Sequence, residues 1–355
     1  MTIVYINFKT LGKNKNAYKM KNIILLIFST SISIIIILNF FGFTQINNQK
    51  TEFKNEIKGP NPTRFDFELG WSPSPNIISR RIHHHNNVSY DMNTDSIGAR
   101  LSRSYGNPTL QNNMLITFGG SFSYGHGVES ENTFTTILGQ KLKLPALNFA
   151  YPSWGTVQTY KLIKKHATEG SIVIYGYIDD HLWRNFNLCG RSYDEYCLEE
   201  PVIYKNKNGK FEIQEKITGH YQLPDGFREV DHKNIFSMKN LTYAYHSLKH
   251  RILKKIHYKL QGKKAIYGKE RELAFKFIIN EIENIAKQRG FKFYIVNVDC
   301  AVKNFKPKFE KIIQSQNTVL IDAANFDCDT PDFWSDKHPS EKQHLILAKN
   351  IQENL

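Results

Sequence analysis

The chain has 355 residues, which is enough for one large domain with attached segments. Hydrophobic residues make up 41% of it and lie in runs along its length, so the composition excludes a chain too polar to build a core. The formal net charge is +14, but no aromatic–basic motif accompanies the basic residues. We therefore expect no nucleic acid among the partners.

The first 43 residues carry the pattern of a membrane anchor. Residues 1–21 form a basic tail with five lysines and no acid, and residues 22–43 are uncharged and apolar apart from a few Ser, Thr, Asn and Gly. Because about 20 apolar residues cross a bilayer as a helix, residues 22–43 predict one N-terminal transmembrane helix. The lysines precede this span, which predicts a cytoplasmic N-terminus and an extracytoplasmic, periplasmic remainder. A cleaved signal peptide is the alternative.

Beyond the anchor, the pattern predicts a linker, an extension and one α/β domain. Residues 44–63 are polar and lack apolar periodicity, whereas residues 64–113 contain short apolar pieces typical of irregular or β structure that packs on the domain. Residues 114–355 alternate strands with helices, which predicts a three-layer α/β/α sandwich around a mostly parallel sheet. Five apolar runs are the predicted strands: Met114–Gly119, Ala146–Ala150, Ser171–Ile178, Phe291–Val298 and Val319–Ala323. In such sheets the site lies beyond the carboxyl ends of the strands.

Residues 186–270 interrupt this alternation and predict an insertion between the third and fourth strands. Residues 232–271 contain eleven Lys or Arg and one acid, with apolar residues at three- and four-residue steps. This spacing predicts a helix with an apolar stripe and a basic face. The helix either packs on the domain as a solvated element or contacts an anionic lipid or acidic polysaccharide.

The chain has four cysteines, Cys189, Cys197, Cys300 and Cys328. None forms a CxxC pair, which argues against a metal site, and an oxidising compartment permits disulfides. Cys189 and Cys197 flank one short polar loop, while Cys300 and Cys328 each follow a predicted strand. We expect these two pairs among the three possible pairings.

Two short motifs carry residue types used in nucleophilic catalysis. Residues 118–128 (FGGSFSYGHGV) put Ser121 just past a predicted buried strand, among glycines that permit a sharp turn and close approach of a ligand. Residues 336–340 (DKHPS) put Asp336 and His338 before the last predicted helix. A serine that transfers acyl groups needs a base for its proton and an acid to orient that base. Taken singly, the first motif is also compatible with a phosphate-binding turn and the second with an inert loop.

Four blocks in this order resemble the SGNH hydrolases, in particular the group with a nucleophile block of the form GDSFTFGxGV. Between the two motifs lie residues 148–158 (NFAYPSWGTVQ) and residues 176–185 (GYIDDHLWRN), which resemble the second and third blocks. Residues 88–100 also resemble an upstream segment of that group, in which an Asn is followed by Gly-x-Arg. The resemblance implies a flavodoxin-like SGNH fold with a five-stranded sheet, without a cofactor or a metal.

The resemblance also implies the roles of the catalytic residues. Ser121 falls on the nucleophile and His338 on its base, while Asp336 falls on the acid that orients the base. Gly120 stands where the group has an Asp, a change that leaves the nucleophile in place.

The oxyanion side departs from the group in two positions. Ser153 falls on the glycine whose backbone N–H serves the oxyanion, and Gly155 in the same block is a further candidate. Asp180 falls on the oxyanion Asn, and an ionised carboxylate cannot donate a hydrogen bond. We therefore expect that burial protonates Asp180, that His181 donates instead, or that the activity is altered.

These interpretations predict a serine esterase that removes acyl groups, foremost O-acetyl groups, from an envelope glycan or a lipid ester. The substrate class follows from the resemblance and the predicted compartment, since no pocket residue indicates it. Two alternatives stay open. One is an O-acyltransferase of the same fold acting on a polysaccharide, and the other is a non-catalytic relative that binds glycan or lipid.

Overall fold

The computed structural model describes residues 55–83, 88–102, 104, 108–186, 189–193, 196–217, 270–313, 317–328 and 338–355, and five helical residues further upstream, Ile23, Leu26, Ser29, Thr30 and Ser33. Of Asn55, His83, residues 189–193 and residues 196–199, only the backbone is described. The chain divides into two compact units, residues 1–52 with 224–257 and residues 53–223 with 258–355. All strands and all other helices given below belong to the second unit.

Several predicted features fall outside the described residues. These are the basic tail, nearly all of the transmembrane helix, Asp336, and the basic segment apart from its last two residues. Within the described ranges, no helix is both long enough and apolar enough to cross a bilayer. The membrane anchor and the basic helix therefore stay predictions.

Five short strands precede the α/β domain: β1 (Asn55–Lys58), β2 (Thr63–Asp66), β3 (Gly70–Pro73), β4 (Arg80–His83) and β5 (Val88–Asp91). They form a sheet in the order β1-β4-β5 and a β2–β3 hairpin. β1 lies within the expected linker, because its backbone finds partners in β4, which the local polarity does not reveal. Trp71 in β3 is 1% exposed and donates its indole N–H to the Pro152 carbonyl at 3.2 Å. This bond fastens the extension to the domain.

The α/β domain begins with β6 (Leu115–Gly119), α1 (Ser121–Tyr124), α2 (Phe134–Leu142), β7 (Ala146–Asn148), α3 (Thr156–His166), β8 (Ile172–Tyr177) and α4 (Asp180–Arg184). Two hairpins lie in the predicted insertion, β9 (Cys189–Tyr193) with β10 (Tyr196–Glu199) and β11 (Ile203–Lys205) with β12 (Phe211–Ile213). The remaining elements are α5 (Glu270–Arg289), β13 (Lys292–Asn297), α6 (Phe305–Glu310), β14 (Thr318–Asp322) and α7 (Glu341–Gln352).

The centre of the domain is a five-stranded sheet in the order β14-β13-β8-β6-β7, with every neighbouring pair parallel. The five strands coincide with the five predicted apolar runs, which confirms that prediction. From β6 the chain moves to the edge strand β7 and then crosses back to β8 on the other side of β6. This reversal opens a crevice at the carboxyl ends of β6 and β8.

Helices cover both faces of the sheet. Leu115 packs in the cluster that contains side chains of α2 and α7, whereas the next residue, Ile116, packs in the cluster of α3 and α5. Successive strand residues point to opposite faces, so a strand covered on both sides is apolar throughout. The predicted three-layer α/β/α arrangement is therefore confirmed.

A disulfide links the loops that follow two neighbouring strands. Cys300 lies after β13 and Cys328 after β14, with their Cα atoms 5.6 Å apart and a separation of 28 positions in the sequence. This is one of the two expected pairs. The side chains of Cys189 and Cys197 lie outside the described part of the chain, so their pairing stays a prediction. Cys328 precedes His338 by ten positions in the sequence.

Replacing Cys300 and Cys328 together by serine is expected to lower the free energy of unfolding by about 3–4 kcal/mol, because a crosslink over such a span restricts the unfolded chain. Urea unfolding of the wild type and the double variant measures the difference. Either single replacement should cost as much as the double one, since both break the same bond. Equal unfolding midpoints for wild type and double variant would contradict the prediction.

His344 in α7 makes the stability depend on pH. Its Nδ1 accepts a hydrogen bond from the Phe134 backbone N–H at 3.1 Å, and burial, together with the charges of Arg100 and His338, lowers its pKa to about 3. In the unfolded chain the imidazole binds a proton near pH 6.5. The contribution of His344 to the free energy of unfolding is therefore fully present above that pH and is lost as the pH falls toward 3. We expect a loss of up to about 1.4 kcal/mol per pH unit in urea unfolding. The variant His344→Asn, which keeps an acceptor, should flatten this slope, and an unchanged slope would contradict the assignment.

Candidate active site

The turn between β6 and α1 holds Ser121 at the carboxyl edge of the sheet. β6 ends at Gly119, whose φ of +142° is rarely adopted by L side chains, and a Cβ there would stand 2.7 Å from both the Gly176 carbonyl oxygen and the Ser123 Oγ. α1 begins with Ser121 and is closed by Gly125 in the left-handed conformation. The glycine-rich pattern therefore permits one tight helical turn that presents the serine in the crevice.

His338 lies beside this serine, although 217 positions separate the two residues in the chain. The His338 Nε2 is 2.7 Å from the Ser121 Oγ, the distance of a good hydrogen bond. The rings of Phe122 and His126 flank the imidazole, with centroid distances of 4.9 and 4.6 Å. The structure thus brings together the nucleophile and base implied by the resemblance, and the flanking rings restrict where the base can move.

The third residue of the implied triad, Asp336, lies outside the described residues, so its role stays a prediction. Within the described ranges, no group of three or more His, Cys, Asp or Glu is arranged to hold a metal ion.

Arg100 holds the far end of α1, a role that the sequence interpretation missed. Its buried guanidinium donates to four backbone carbonyls, those of Asp91, Tyr124, Gly125 and Val128. The Asp91 carboxylate lies 3.6 Å away and balances the charge. Because Ser121 starts the helix whose last carbonyl Arg100 binds, this side chain fixes the nucleophile from behind. The Gly-x-Arg pattern within residues 88–100 was the only sequence signal for it.

The loop after β7 forms the other wall of the site. The Tyr151 N–H donates to the Gly119 carbonyl at 3.1 Å, and the Trp154 carbonyl oxygen would lie 3.2 Å from a Cβ on Gly120. Ser153, between these two contacts, is therefore held next to the backbone that leads into Ser121. Its φ of +67° lies in the left-handed region, which favours glycine and costs a serine about 1–2 kcal/mol.

Replacing Ser153 by glycine is expected to stabilise the fold by up to about 1 kcal/mol. The variant loses about 1–2 kcal/mol of backbone strain. This gain is larger than the destabilisation of about 0.5–1 kcal/mol that arises because an unfolded glycine has greater conformational entropy. The backbone N–H of residue 153 stays in this variant. Replacing Ser153 by valine should instead destabilise, because a β-branched residue fits positive φ poorly. Urea unfolding of both variants checks the order, and a valine variant as stable as the glycine variant would contradict it.

Two of the candidates for the oxyanion side, Gly155 and Asp180, have other partners in the structure. The Gly155 N–H cannot serve an oxyanion, because it already donates to the Gln158 Oε1 at 3.0 Å at the start of α3. The Asp180 side chain is not buried: it is 54% exposed and lies 3.1 Å from the Arg184 guanidinium. The Trp183 indole N–H also donates to this carboxylate at 3.1 Å. Helix α4 thus pairs Asp180 with its own neighbours, and Arg184 balances its charge.

His181, the next residue along α4, is wholly buried in the crevice floor. Its Nδ1 is 2.8 Å from the Tyr175 hydroxyl, and its Nε2 would lie 2.9 Å from a Cβ on Gly120. Burial, with a smaller contribution from the charge of Arg184, holds the pKa of His181 well below its usual range. A neutral imidazole therefore lies directly behind the residue that precedes the nucleophile.

The fold and the site together place a serine–histidine pair at the point where the order of a parallel sheet reverses. No protein-family model and no curated protein sequence matches the chain. Among solved structures, it is similar to a protein assigned to the lipolytic G-D-S-L family from Desulfitobacterium hafniense DCB-2, with 13% identity and a TM-score of 0.36 over 69% of this chain and 100% of that one. It is also similar to a carbohydrate esterase family 2 enzyme with its carbohydrate-binding domain from Corynascus thermopiles (Myceliophthora fergusii), with 10% identity and a TM-score of 0.34 over 69% of this chain and 67% of that one. At these values neither similarity decides the reaction of this chain.

Proposed function

We propose that the chain is a serine esterase that removes acyl groups, foremost O-acetyl groups, from an envelope glycan or a lipid ester. The observation that carries this proposal is the 2.7 Å hydrogen bond between the Ser121 Oγ and the His338 Nε2. A buried serine bonded to an imidazole at the carboxyl edge of a parallel sheet meets the geometric requirement for an activated nucleophile.

In the proposed reaction, His338 takes the hydroxyl proton while the Ser121 Oγ bonds to the ester carbonyl carbon. The backbone N–H groups of Ser121 and Ser153 stabilise the negative oxygen of the tetrahedral intermediate. The protonated imidazole then gives its proton to the departing alcohol, and the acyl group stays on the serine. Water, deprotonated by the same imidazole, releases the carboxylic acid and restores the hydroxyl. Asp336 is proposed to orient the imidazole throughout.

The test is covalent labelling of the purified full-length chain with a fluorophosphonate, followed by peptide mass spectrometry. We expect the label on Ser121 and none on the Ser121→Ala variant. The matched control is Ser123→Ala, two residues further along α1, whose buried hydroxyl makes no hydrogen bond within the described residues and whose loss should leave labelling intact. A wild type that is not labelled, or is labelled elsewhere, would refute the serine mechanism.

The fate of the acyl group separates the esterase from its alternatives. With p-nitrophenyl acetate as donor, an esterase releases acetate, whereas an acyltransferase acetylates an added polysaccharide in preference to water. A binding protein shows neither product and no label on Ser121. Acetate release that is lost in Ser121→Ala supports the proposal, and acetylated polysaccharide as the main product would replace it.

We propose that residues 22–43 anchor the chain in the inner membrane, with the esterase domain in the periplasm, and that residues 232–271 contact an acidic surface. The support is the apolar run and the lysine distribution of the sequence. Protease treatment of spheroplasts should degrade the domain and spare only the N-terminal segment. Binding of the chain to anionic vesicles, measured by sedimentation, should weaken steeply as the salt concentration rises from 50 to 500 mM, roughly the range over which charges become screened.

A further inference from the structure

We infer that His181 is a positioning residue for the oxyanion side of the site. Its imidazole is fixed in the tautomer that carries the proton on Nε2, and it directs this N–H at the Gly120 backbone that leads into Ser121. The inference rests on the proposed serine mechanism, since it assigns His181 an effect on that reaction.

The tautomer follows from a chain of hydrogen bonds that begins at a backbone N–H, a group that can act only as a donor. The Thr156 backbone N–H can only donate, and it donates to the Asn185 Oδ1 at 2.9 Å. This orients the Asn185 amide, whose Nδ2 donates to the Thr156 Oγ1 at 3.1 Å. The Thr156 hydroxyl, having accepted this bond, has its own proton left to donate.

The chain continues from Thr156 to the imidazole. The Thr156 Oγ1 lies 2.8 Å from the Tyr175 hydroxyl, which lies 2.8 Å from the His181 Nδ1. If Thr156 donates to Tyr175, then Tyr175 donates to Nδ1, and the single proton of a neutral ring is on Nε2.

The opposite direction is less favourable. In that direction Nδ1 donates to the Tyr175 hydroxyl and Tyr175 donates to the Thr156 hydroxyl. The Thr156 proton then has no acceptor, and the Nε2 lone pair has no donor. All these side chains are buried, and each unmade bond costs about 1–3 kcal/mol. The direction with one unmade bond is therefore preferred over the direction with two.

The remaining Nε2–H is directed at the gap beside Gly120. This nitrogen is buried and has no hydrogen-bond partner within the described part of the chain. A Cβ on Gly120 would stand 2.9 Å from Nε2 and 3.4 Å from the Arg184 Nη1. A second cation beside this guanidinium is unfavourable, so the ring stays neutral. Residue 120 must therefore lack a Cβ for the His181 imidazole to occupy this position.

This arrangement places the positive end of an N–H dipole behind the peptide that enters Ser121. Negative charge develops on the substrate oxygen beside that peptide, and fixed dipoles directed at such charge stabilise it. Asp180 cannot contribute in this way, because its carboxylate is held outward by Arg184 and Trp183. His181 therefore holds the Gly120–Ser121 backbone in place and offsets the missing amide of the oxyanion Asn.

A matched pair of variants tests the role. In His181→Gln the amide nitrogen reaches about the place of Nε2, whereas in His181→Asn the side chain ends near Nδ1. Loss of a direct oxyanion donor lowers kcat by about 10²–10³-fold, and for a group acting through Gly120 we expect His181→Asn to lose about 10–100-fold with KM nearly unchanged. His181→Gln should keep kcat within about fivefold. Equal kcat for both variants and the wild type would overturn the inference. So would equal losses of kcat in the two variants that parallel their losses in melting temperature.

The tautomer is measured directly by NMR of the full-length chain labelled with 15N-histidine, using His181→Gln to assign the ring. We expect a proton on Nε2 that stays unchanged between pH 5.5 and 8. In Tyr175→Phe, which removes the donor to Nδ1, this preference should be lost. A proton on Nδ1, or titration of the ring within this range, would overturn the inference.

Failure of this inference is distinguishable from failure of the proposed function. If the fluorophosphonate does not label Ser121 in the wild type, the serine mechanism fails and the positioning role fails with it, whatever the tautomer. If Ser121 is labelled and the variants behave alike, only the role of His181 is refuted.

Discussion

Replacing His338 by glutamine is expected to lower kcat/KM for an ester substrate by about 10⁴- to 10⁶-fold. The Ser121 hydroxyl bonds to the His338 Nε2 at 2.7 Å, and glutamine has no basic atom to accept the proton as the Oγ attacks. The two residues act as a unit, so the double variant Ser121→Ala/His338→Gln should be no slower than the single ones. Initial rates with p-nitrophenyl acetate measure all three.

The control for this experiment is His126, whose ring packs 4.6 Å from that of His338. The variant His126→Phe keeps an aromatic ring at this position and leaves the bond to Ser121 untouched. We expect kcat/KM to fall by less than about tenfold, because the change in packing moves the base only slightly. A loss as large as that of His338→Gln would mean that the base has been misassigned.

Replacing Gly176 by alanine is the second change with a large expected effect. A Cβ on Gly176 would stand 1.9 Å from the Ser123 Oγ and 3.1 Å from the Ser123 Cβ. Gly176 cannot retreat, because it pairs with Gly119 on one side and Val296 on the other in the middle of the sheet. The added methyl group must therefore push α1, and with it the nucleophile at its start.

We expect Gly176→Ala to lower the free energy of unfolding by about 1–3 kcal/mol and kcat by about 10²-fold, since a shift of about 1 Å in the nucleophile has an effect of that size. The double variant Gly176→Ala/Ser123→Ala removes the closest contact and should recover part of both losses. Urea unfolding and rates with p-nitrophenyl acetate give the comparison. No recovery in the double variant would show that the alanine acts through another contact.

Much of the fold could be predicted because the relevant signals are local. The strands are buried on both faces, so each appears in the sequence as a continuous apolar run, and the five predicted runs coincide with the five strands of the central sheet. Ser121 and His338 were recognisable only from the order of four blocks, since each motif alone is compatible with other roles. Their meeting depends on the strand order, which brings the end of β6 next to the loop before α7.

The details of the oxyanion side could not be predicted from the blocks. Gly155 is in the expected position, yet its N–H is taken by Gln158 three residues later. Asp180 turns outward because Arg184, one helical turn away, binds it. Position in a motif does not specify which partner a polar group finds, and partners decide whether a donor remains for the substrate.

The sequence by itself determined the layered α/β architecture and indicated the serine in its glycine-rich turn and the histidine that lies beside it, because apolar periodicity and motif order are properties of the chain. Only the tertiary structure decided that Arg100 braces the nucleophile helix, that Ser153 takes a glycine-like conformation, and that His181 lies behind Gly120. The physical reason is that these side chains owe their state to burial and to hydrogen bonds with residues distant in sequence, such as Tyr124 for Arg100 and Thr156 for the imidazole network.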